Sequence, residues 1–97
     1  MKPITINMFD EAGPFCENKD KAKKLRTNII IPAISQEKEV IIDFAKVEGA
    51  TQSFIHALTA EPIRDFGDKA YNNLIFSNCN KDIMTVIDIV YEYLQES

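Results

Sequence analysis

The stretch Val40-Ile41-Ile42-Asp43-Phe44-Ala45-Lys46-Val47-Glu48-Gly49-Ala50-Thr51-Gln52-Ser53-Phe54 decides how this chain folds. It opens on an almost wholly apolar run, Val40 to Phe44, of the kind found in a strand covered on both faces of a sheet. Val47-Glu48-Gly49-Ala50 reads as a loop with Gly49 as its pivot. Thr51 then offers a hydroxyl to the free amides of a helix start, and Phe54, Ala57 and Leu58 face inward at helical spacing. Strand, short link and helix in that order form the repeating unit of a layered α/β structure.

Upstream, Pro3 to Phe9 alternates Ile4, Ile6 and Met8 with polar residues, the pattern of a half-buried strand. Asp10-Glu11-Ala12-Gly13-Pro14 has the composition of a turn. A helix is expected from Asn18, whose side chain can cap it, with Asp20 at the positive end of its dipole. Ala22, Leu25, Ile29 and Ala33 fall on one face of that helix. Pro32 lacks an amide hydrogen and its ring presses on the Asn28 carbonyl, which predicts a kink or the last turn there. Downstream, Pro62 is expected to stop or redirect the helix that Thr51 opens, and Ile63 to Tyr71 suggests a short helix broken at Gly67. Asn73 to Ser77 reads as a third strand. Asn80 then caps a last helix with an inner stripe of Ile83, Val86, Ile87, Val90 and Leu94.

The 97 residues suffice for one domain spanning 1–97, and 45% hydrophobic with 27% charged residues is an ordinary globular composition. The longest apolar runs, near Ile29–Ile34 and Val40–Phe44, fall far short of the roughly 20 residues that span a bilayer. The Met1-Lys2-Pro3-Ile4-Thr5 start has no apolar signal core, and two cysteines are too few for a disulfide scaffold. A cytoplasmic protein with no membrane contact is the expectation. The net charge of −4 hides an asymmetry: residues 19–26 hold five positive charges and one negative, so the rest of the chain is strongly acidic. That distribution argues against nucleic-acid binding, which favours a basic face over most of a domain. The basic stretch, with Lys21 and Lys24 in it, is either a solvated helix face or a docking patch for an acidic partner.

The Val40–Phe54 segment resembles the STAS-like domains of bacteria, relatives of the anti-sigma-factor antagonists. The shared pattern is a buried strand ending in Asp43, a Val47-Glu48-Gly49 loop and a small polar run with Ser53-Phe54 opening a helix. Ile30-Ile31-Pro32-Ala33-Ile34, Leu74-Ile75-Phe76 and the Asn80-capped helix extend the likeness from Gly13 to Glu96. It implies an α/β fold: a small STAS-like domain with a mixed three- to five-stranded sheet and helices packed mainly on one face. In the antagonists a serine at this helix start is phosphorylated by a partner ATPase-kinase, and by position that serine is Ser53. The antagonists carry Asp-Ser-Ser-Gly there, where this chain has Thr51-Gln52-Ser53-Phe54.

The resemblance therefore implies a regulatory module that binds a protein partner, a histidine-kinase-type ATPase or the product of a neighbouring gene. Gly49, Thr51, Gln52, Ser53 and Phe54 would form the docking segment, and Ser53 would be the residue modified. A structural or assembly subunit of a multi-protein bacterial complex, or a small-ligand or nucleotide sensor, is the alternative. Asp43 and Glu48 flank the strand end, where Asp43 is expected to bond loop amides and hold the Gly49 turn. Catalysis finds no support: the single histidine, His56, has only Ser53 as a near neighbour and reads as a surface residue. Cys16, in a loop, and Cys79 lack Cys-x-x-Cys spacing, and Gly13, Gly49 and Gly67 form no phosphate-cradling motif. Neither a metal nor a cofactor is expected. Tyr91 and Tyr93 cannot share one helical face, so at least one should be exposed.

Overall fold

The computed structural model describes residues 2–96. Strand β1 (Ile4–Asn7) ends where Asn7 turns outward and accepts the Asp10 amide hydrogen at 3.1 Å, capping a short helix α1 (Met8–Ala12). The strand expected to reach Phe9 thus stops two residues earlier, because Asn7 satisfies a helix start better than it continues a ladder. Gly13, at φ 81°, ends α1, and β2 (Phe15–Cys16) follows. Helix α2 (Lys19–Leu25) starts at Asn18, whose side-chain oxygen accepts from the amides of Asp20 and Lys21.

Pro32 lies in the last turn of this helical stretch, as expected: the helix ends three residues later, at Ser35. The turn Arg26–Ile30 is π-helical, and the Ile31 amide reaches back five residues to the Arg26 carbonyl. This wider turn changes the register ahead of the proline, so the helix resumes as α3 (Ile31–Ser35). Glu37, at φ 62°, closes it: the Glu37 amide donates to Ile34 and the Lys38 amide to Ala33.

Strand β3 (Val40–Asp43) leads into the loop and a two-residue strand β4 (Gly49–Ala50). Helix α4 (Gln52–Phe66) continues through Pro62, where a stop or change of direction was expected. A proline inside a helix costs about 3 kcal/mol, but Pro62 and Ile63 are both buried here and their burial offsets that loss. The helix ends instead at Gly67, φ 56°, after which α5 (Asp68–Asn73), β5 (Leu74–Ser77) and α6 (Lys81–Glu96) complete the chain.

Every strand pairing is parallel. β3 lies between β1 and β5 in one sheet, and β2 pairs with β4 in a second. The mixed sheet of the sequence reading is therefore parallel throughout among the described residues, since each pair is joined by a helical crossover rather than a hairpin. The loop assigned to Gly49–Ala50 and the loop assigned to Cys16 meet as this second sheet, which no alternation over two residues could announce.

Register aligns Ile4, Val40 and Leu74 in one row and Ile6, Ile42 and Phe76 in the next row of the same face. Ile6, Val40, Ile42 and Leu74 are buried there under the helices. The opposite face carries Thr5, Ile41 and Ile75, then Asn7, Asp43 and Ser77; Thr5 is exposed, Ile41 half-buried and Ile75 36% exposed. Strand β3 is thus covered on one face only, against the expectation for so apolar a run. The helices do pack on the single buried face, with α4 touching α2, the π-helical turn, α3, α5 and α6.

Phe54 is fully buried, with Ile55 and Leu58 beside it on α4. Phe54→Ala is expected to cost about 3–5 kcal/mol, the range for emptying a buried aromatic site. Urea unfolding followed by circular dichroism measures it; a loss below about 1 kcal/mol would place that ring outside the core.

Candidate functional site

The start of α4 is built from three local interactions. Thr51 has extended backbone angles, and its hydroxyl oxygen accepts the Phe54 amide hydrogen at 3.1 Å. Its own amide donates to the Cys16 carbonyl at 3.0 Å, which ties the helix start to β2. The Thr51 and Ser53 hydroxyls are 3.3 Å apart, within reach of a hydrogen bond. Thr51, Gln52 and Ser53 are exposed, and Gly49 is half-buried. Phe54, counted among the docking residues from the sequence, is withdrawn from that role: its ring points into the core and offers no surface to a partner.

Gly49 has no need of special backbone angles and does not act as a pivot. Its backbone lies under the Phe15 ring, and a Cβ there would meet Phe15 Cδ1 at 3.6 Å. Phe15 itself is 57% exposed, so an open aromatic ring lies beside the docking segment. Nothing in Gly13-Pro14-Phe15-Cys16 signals this in sequence, because the ring is placed by the β2–β4 pairing.

From Ser53 an open groove of about 920 Å³ runs between α2, α4 and α6. Lys19, Lys23 and Arg26 form one rim, at helical spacing along α2 and the turn that follows it. The side of the basic stretch that faces the groove is thus this stripe, and neither Lys21 nor Lys24 lines it. Ala57 and Ala60 lie on the floor, while Ile89 and Tyr93 of α6 form the other rim. Arg26 Nε lies 3.1 Å from Glu61 Oε2, an ion pair without the alignment of a hydrogen bond, and Arg26 Nη1 donates to the Ala57 carbonyl at 3.1 Å. His56, half-buried, sets its ring edge-on to Tyr93 with centroids 6.2 Å apart. Tyr93 is 61% exposed, whereas the Tyr91 hydroxyl is buried, as two residues on different faces of α6 require.

Asp43 holds a different turn from the one expected. Its Oδ1 accepts from the Ala45 amide and the Asn78 side-chain amide, each at 2.9 Å. These two donors, Asn78 first, lower its pKa below the ordinary carboxyl value. The Gly49 turn is held elsewhere: the Pro14 carbonyl accepts from the Glu48 amide at 2.7 Å and from the Gly49 amide at 3.3 Å. Asn80 completes it. One end of its side chain accepts the Ile83 amide at 2.8 Å, and the other donates to the carbonyls of Glu48 at 2.9 Å and Val47 at 3.4 Å. Glu48 therefore serves through its backbone.

Cys16 lies in β2, not in a loop, and burial pushes its thiol up to about 11. Cys79 is raised as well, by burial and then by the charge of Asp43. Both settings favour the protonated thiol, the weak nucleophile. Among the described residues no three metal-ligating side chains come together, and no helix is long and apolar enough to cross a membrane.

Asn80→Ala should lower stability by about 1–2 kcal/mol, since one change uncaps α6 and frees two loop carbonyls; a chevron or equilibrium urea curve reads it. Asp43 carries a pH signature. Its lowered folded pKa means that its contribution is complete above the unfolded carboxyl value of about 4 and disappears as pH falls through the folded value. The difference in Tm between the wild type and Asp43→Asn should accordingly be largest at neutral pH and shrink below about pH 4. A difference independent of pH would show that the charge of Asp43 is not what these bonds recognise.

No curated protein and no solved structure matches the chain. A family match covers residues 21–84, from within α2 to the first turn of α6, which is narrower than the Gly13–Glu96 reach of the resemblance. It contains the whole of β3, the loop, α4 and β5, and leaves outside it Phe15 and the groove residues Lys19, Ile89 and Tyr93. The chain belongs to the family described as a STAS-like domain of unknown function.

Proposed function

We propose that this STAS-like domain is a non-enzymatic regulatory module that docks a protein partner through Gly49, Thr51, Gln52 and Ser53, with Phe15 beside them. Ser53 is the switch. The observation that carries this reading is the position of Ser53: exposed, in the first turn of a long helix whose cap is made by Thr51. A helix start tolerates added negative charge, so a phosphate on Ser53 would leave α4 folded. The same phosphate places roughly −1.5 to −2 charges on the surface that a partner must desolvate. Helix and interface therefore respond in opposite directions to one modification.

The partner chemistry comes from the family likeness, which points to a histidine-kinase-type ATPase. The test uses the ATPase of that type encoded nearest to this chain. Wild type incubated with it and ATP should gain one phosphate at Ser53, read by mass spectrometry of the digested protein, and Ser53→Ala should gain none. In calorimetric titrations Ser53→Asp should bind at least about tenfold more weakly, equivalent to about 1.4 kcal/mol, while its Tm stays within a few degrees of wild type. Unchanged affinity together with an unmodified Ser53 would overturn both the interface and the switch. Phe15→Ala should weaken binding and slow phosphate uptake while leaving Ser53 the residue modified, since the ring contacts the partner and not the hydroxyl.

A further inference from the structure

The groove beside Ser53 is charged on one wall and apolar on the other. The α2 wall carries Lys19, Lys23 and Arg26 and no carboxylate. The α6 wall is Ile89, Val90 and Tyr93, none of them charged. Between them α4 adds Glu61, Arg64 and Asp65, so the groove holds four cations against two carboxylates on a chain of net charge −4. Glu61 is already paired with Arg26, and Arg64 and Asp65, adjacent in sequence, offset each other. The excess positive charge therefore rests on Lys19 and Lys23, both exposed and neither in an ion pair among the described residues. On the facing wall Ile89 and Tyr93 are 43% and 61% exposed, although large apolar side chains are ordinarily withdrawn from water.

We propose that this groove receives an amphipathic acidic helix of a partner protein. Its carboxylates would meet Lys19 and Lys23, and its apolar side chains would cover Ile89, Tyr93 and the small floor residues Ala57 and Ala60. Charge complementarity selects an acidic occupant, because a basic or neutral one would cover two lysines without supplying a counter-charge. The open shape selects a segment laid along the groove, since small-molecule sites enclose most of their ligand. The spacing of both walls selects a helix. Lys19 and Lys23 are four residues apart on α2, as Ile89 and Tyr93 are on α6, which is about 6 Å along a helix axis. A docked helix repeats its faces at that same interval, whereas alternate residues of a strand are about 6.6 Å apart.

The inference rests on the docking proposal above for the place of the partner, since Ser53 lines the same groove. A phosphate there would bring roughly −1.5 to −2 charges against an excess of two cations, and so oppose an acidic occupant. Binding by the unmodified chain needs no phosphate, so the two readings fail separately.

A displayed library of random peptides of about 18 residues, five helical turns, selected against the full chain at low salt, tests the proposal. The enriched peptides should be acidic, with carboxylates on one helical face and large apolar residues on the next. By fluorescence anisotropy the best binder should lose at least about tenfold in affinity to Lys19→Glu with Lys23→Glu, and likewise to Tyr93→Ala. Lys21→Glu with Lys24→Glu makes the same change of charge on the same helix outside the groove, and should cost less than about threefold. Replacing the peptide's carboxylates by amides should reproduce the tenfold loss on the wild-type chain, so the test stands even if a variant does not fold. Equal losses from the two charge-reversed pairs would reduce the effect to diffuse attraction and overturn the proposal. A library that yields nothing, or only uncharged apolar peptides, overturns it as well. A dimer of the free chain that Tyr93→Ala dissolves would assign the face to a second copy, with the same consequence. Peptide binding that meets these expectations while the ATPase leaves Ser53 unmodified would uphold the groove and discard the switch.

Discussion

The burial of α4 is the contact on which the rest of this structure depends. Phe54, Ile55, Leu58 and Ile63 turn inward from it, and α2, the π-helical turn, α3, α5 and α6 all pack against it. An α-helix that buries one side at this density leaves its opposite side to solvent, since the two faces alternate with a period of 3.6 residues. That is why Phe54 and Ser53, neighbours in sequence, have opposite fates. The ring that anchors the helix also aims Gln52, Ser53 and His56 at the groove. Substituting the anchor would move the site, although the anchor itself touches no partner.

Around this helix the loops are secured by side-chain amides more than by glycines. Asn7, Asn18 and Asn80 each cap a helix, and Asn78 binds Asp43 across the sheet end. Asn80 joins the start of α6 to the Val47–Glu48 carbonyls, and the Glu48 and Gly49 amides in turn reach Pro14. Pro14 and the Val47–Gly49 loop are therefore bonded to the cap of α6. An aromatic group formed by Phe44, Phe76, Tyr71 and Tyr91 lies behind that junction, with Phe44 stacked on Phe76 and both tyrosines meeting edge to face. This arrangement keeps the exposed start of α4 rigid with respect to the sheet, which a docking surface needs if ordering costs are not to consume its binding energy.

Pro62 shows how packing overrules local preference, whereas Pro32 falls in a last turn. Each removes a helical hydrogen bond, and in an isolated peptide each would end its helix. Pro32 is reached through a π-helical turn that widens the backbone before it, and Pro62 is carried inside α4 by the burial of its own ring and of Ile63. The same override works on β3. Its residues have the pattern of a strand covered twice, yet within Val40–Asp43 only Val40 and Ile42 are fully buried, because the helices pack on one face of a three-stranded sheet.

Much of the frame was legible in the residues themselves. The caps at Asn18, Thr51 and Asn80, the break at Gly67, the strand at Leu74–Ser77 and the inner stripe of α6 follow from side-chain chemistry acting over four residues or fewer, and such effects are written locally. The position of Ser53 on the first turn of an exposed helix start belongs to the same class. The family likeness added the fold but not the surface. Tertiary structure alone decided the β2–β4 pairing, the half-open sheet, the open Phe15 ring and the groove in which Lys19, Lys23 and Arg26 face Ile89 and Tyr93. Those features join residues some 30 to 70 positions apart, and no window of sequence contains both partners. Which side of a charged helix faces a groove is fixed by the helix packed next to it, so the meaning of the basic stretch had to wait for α4 and α6 to be placed.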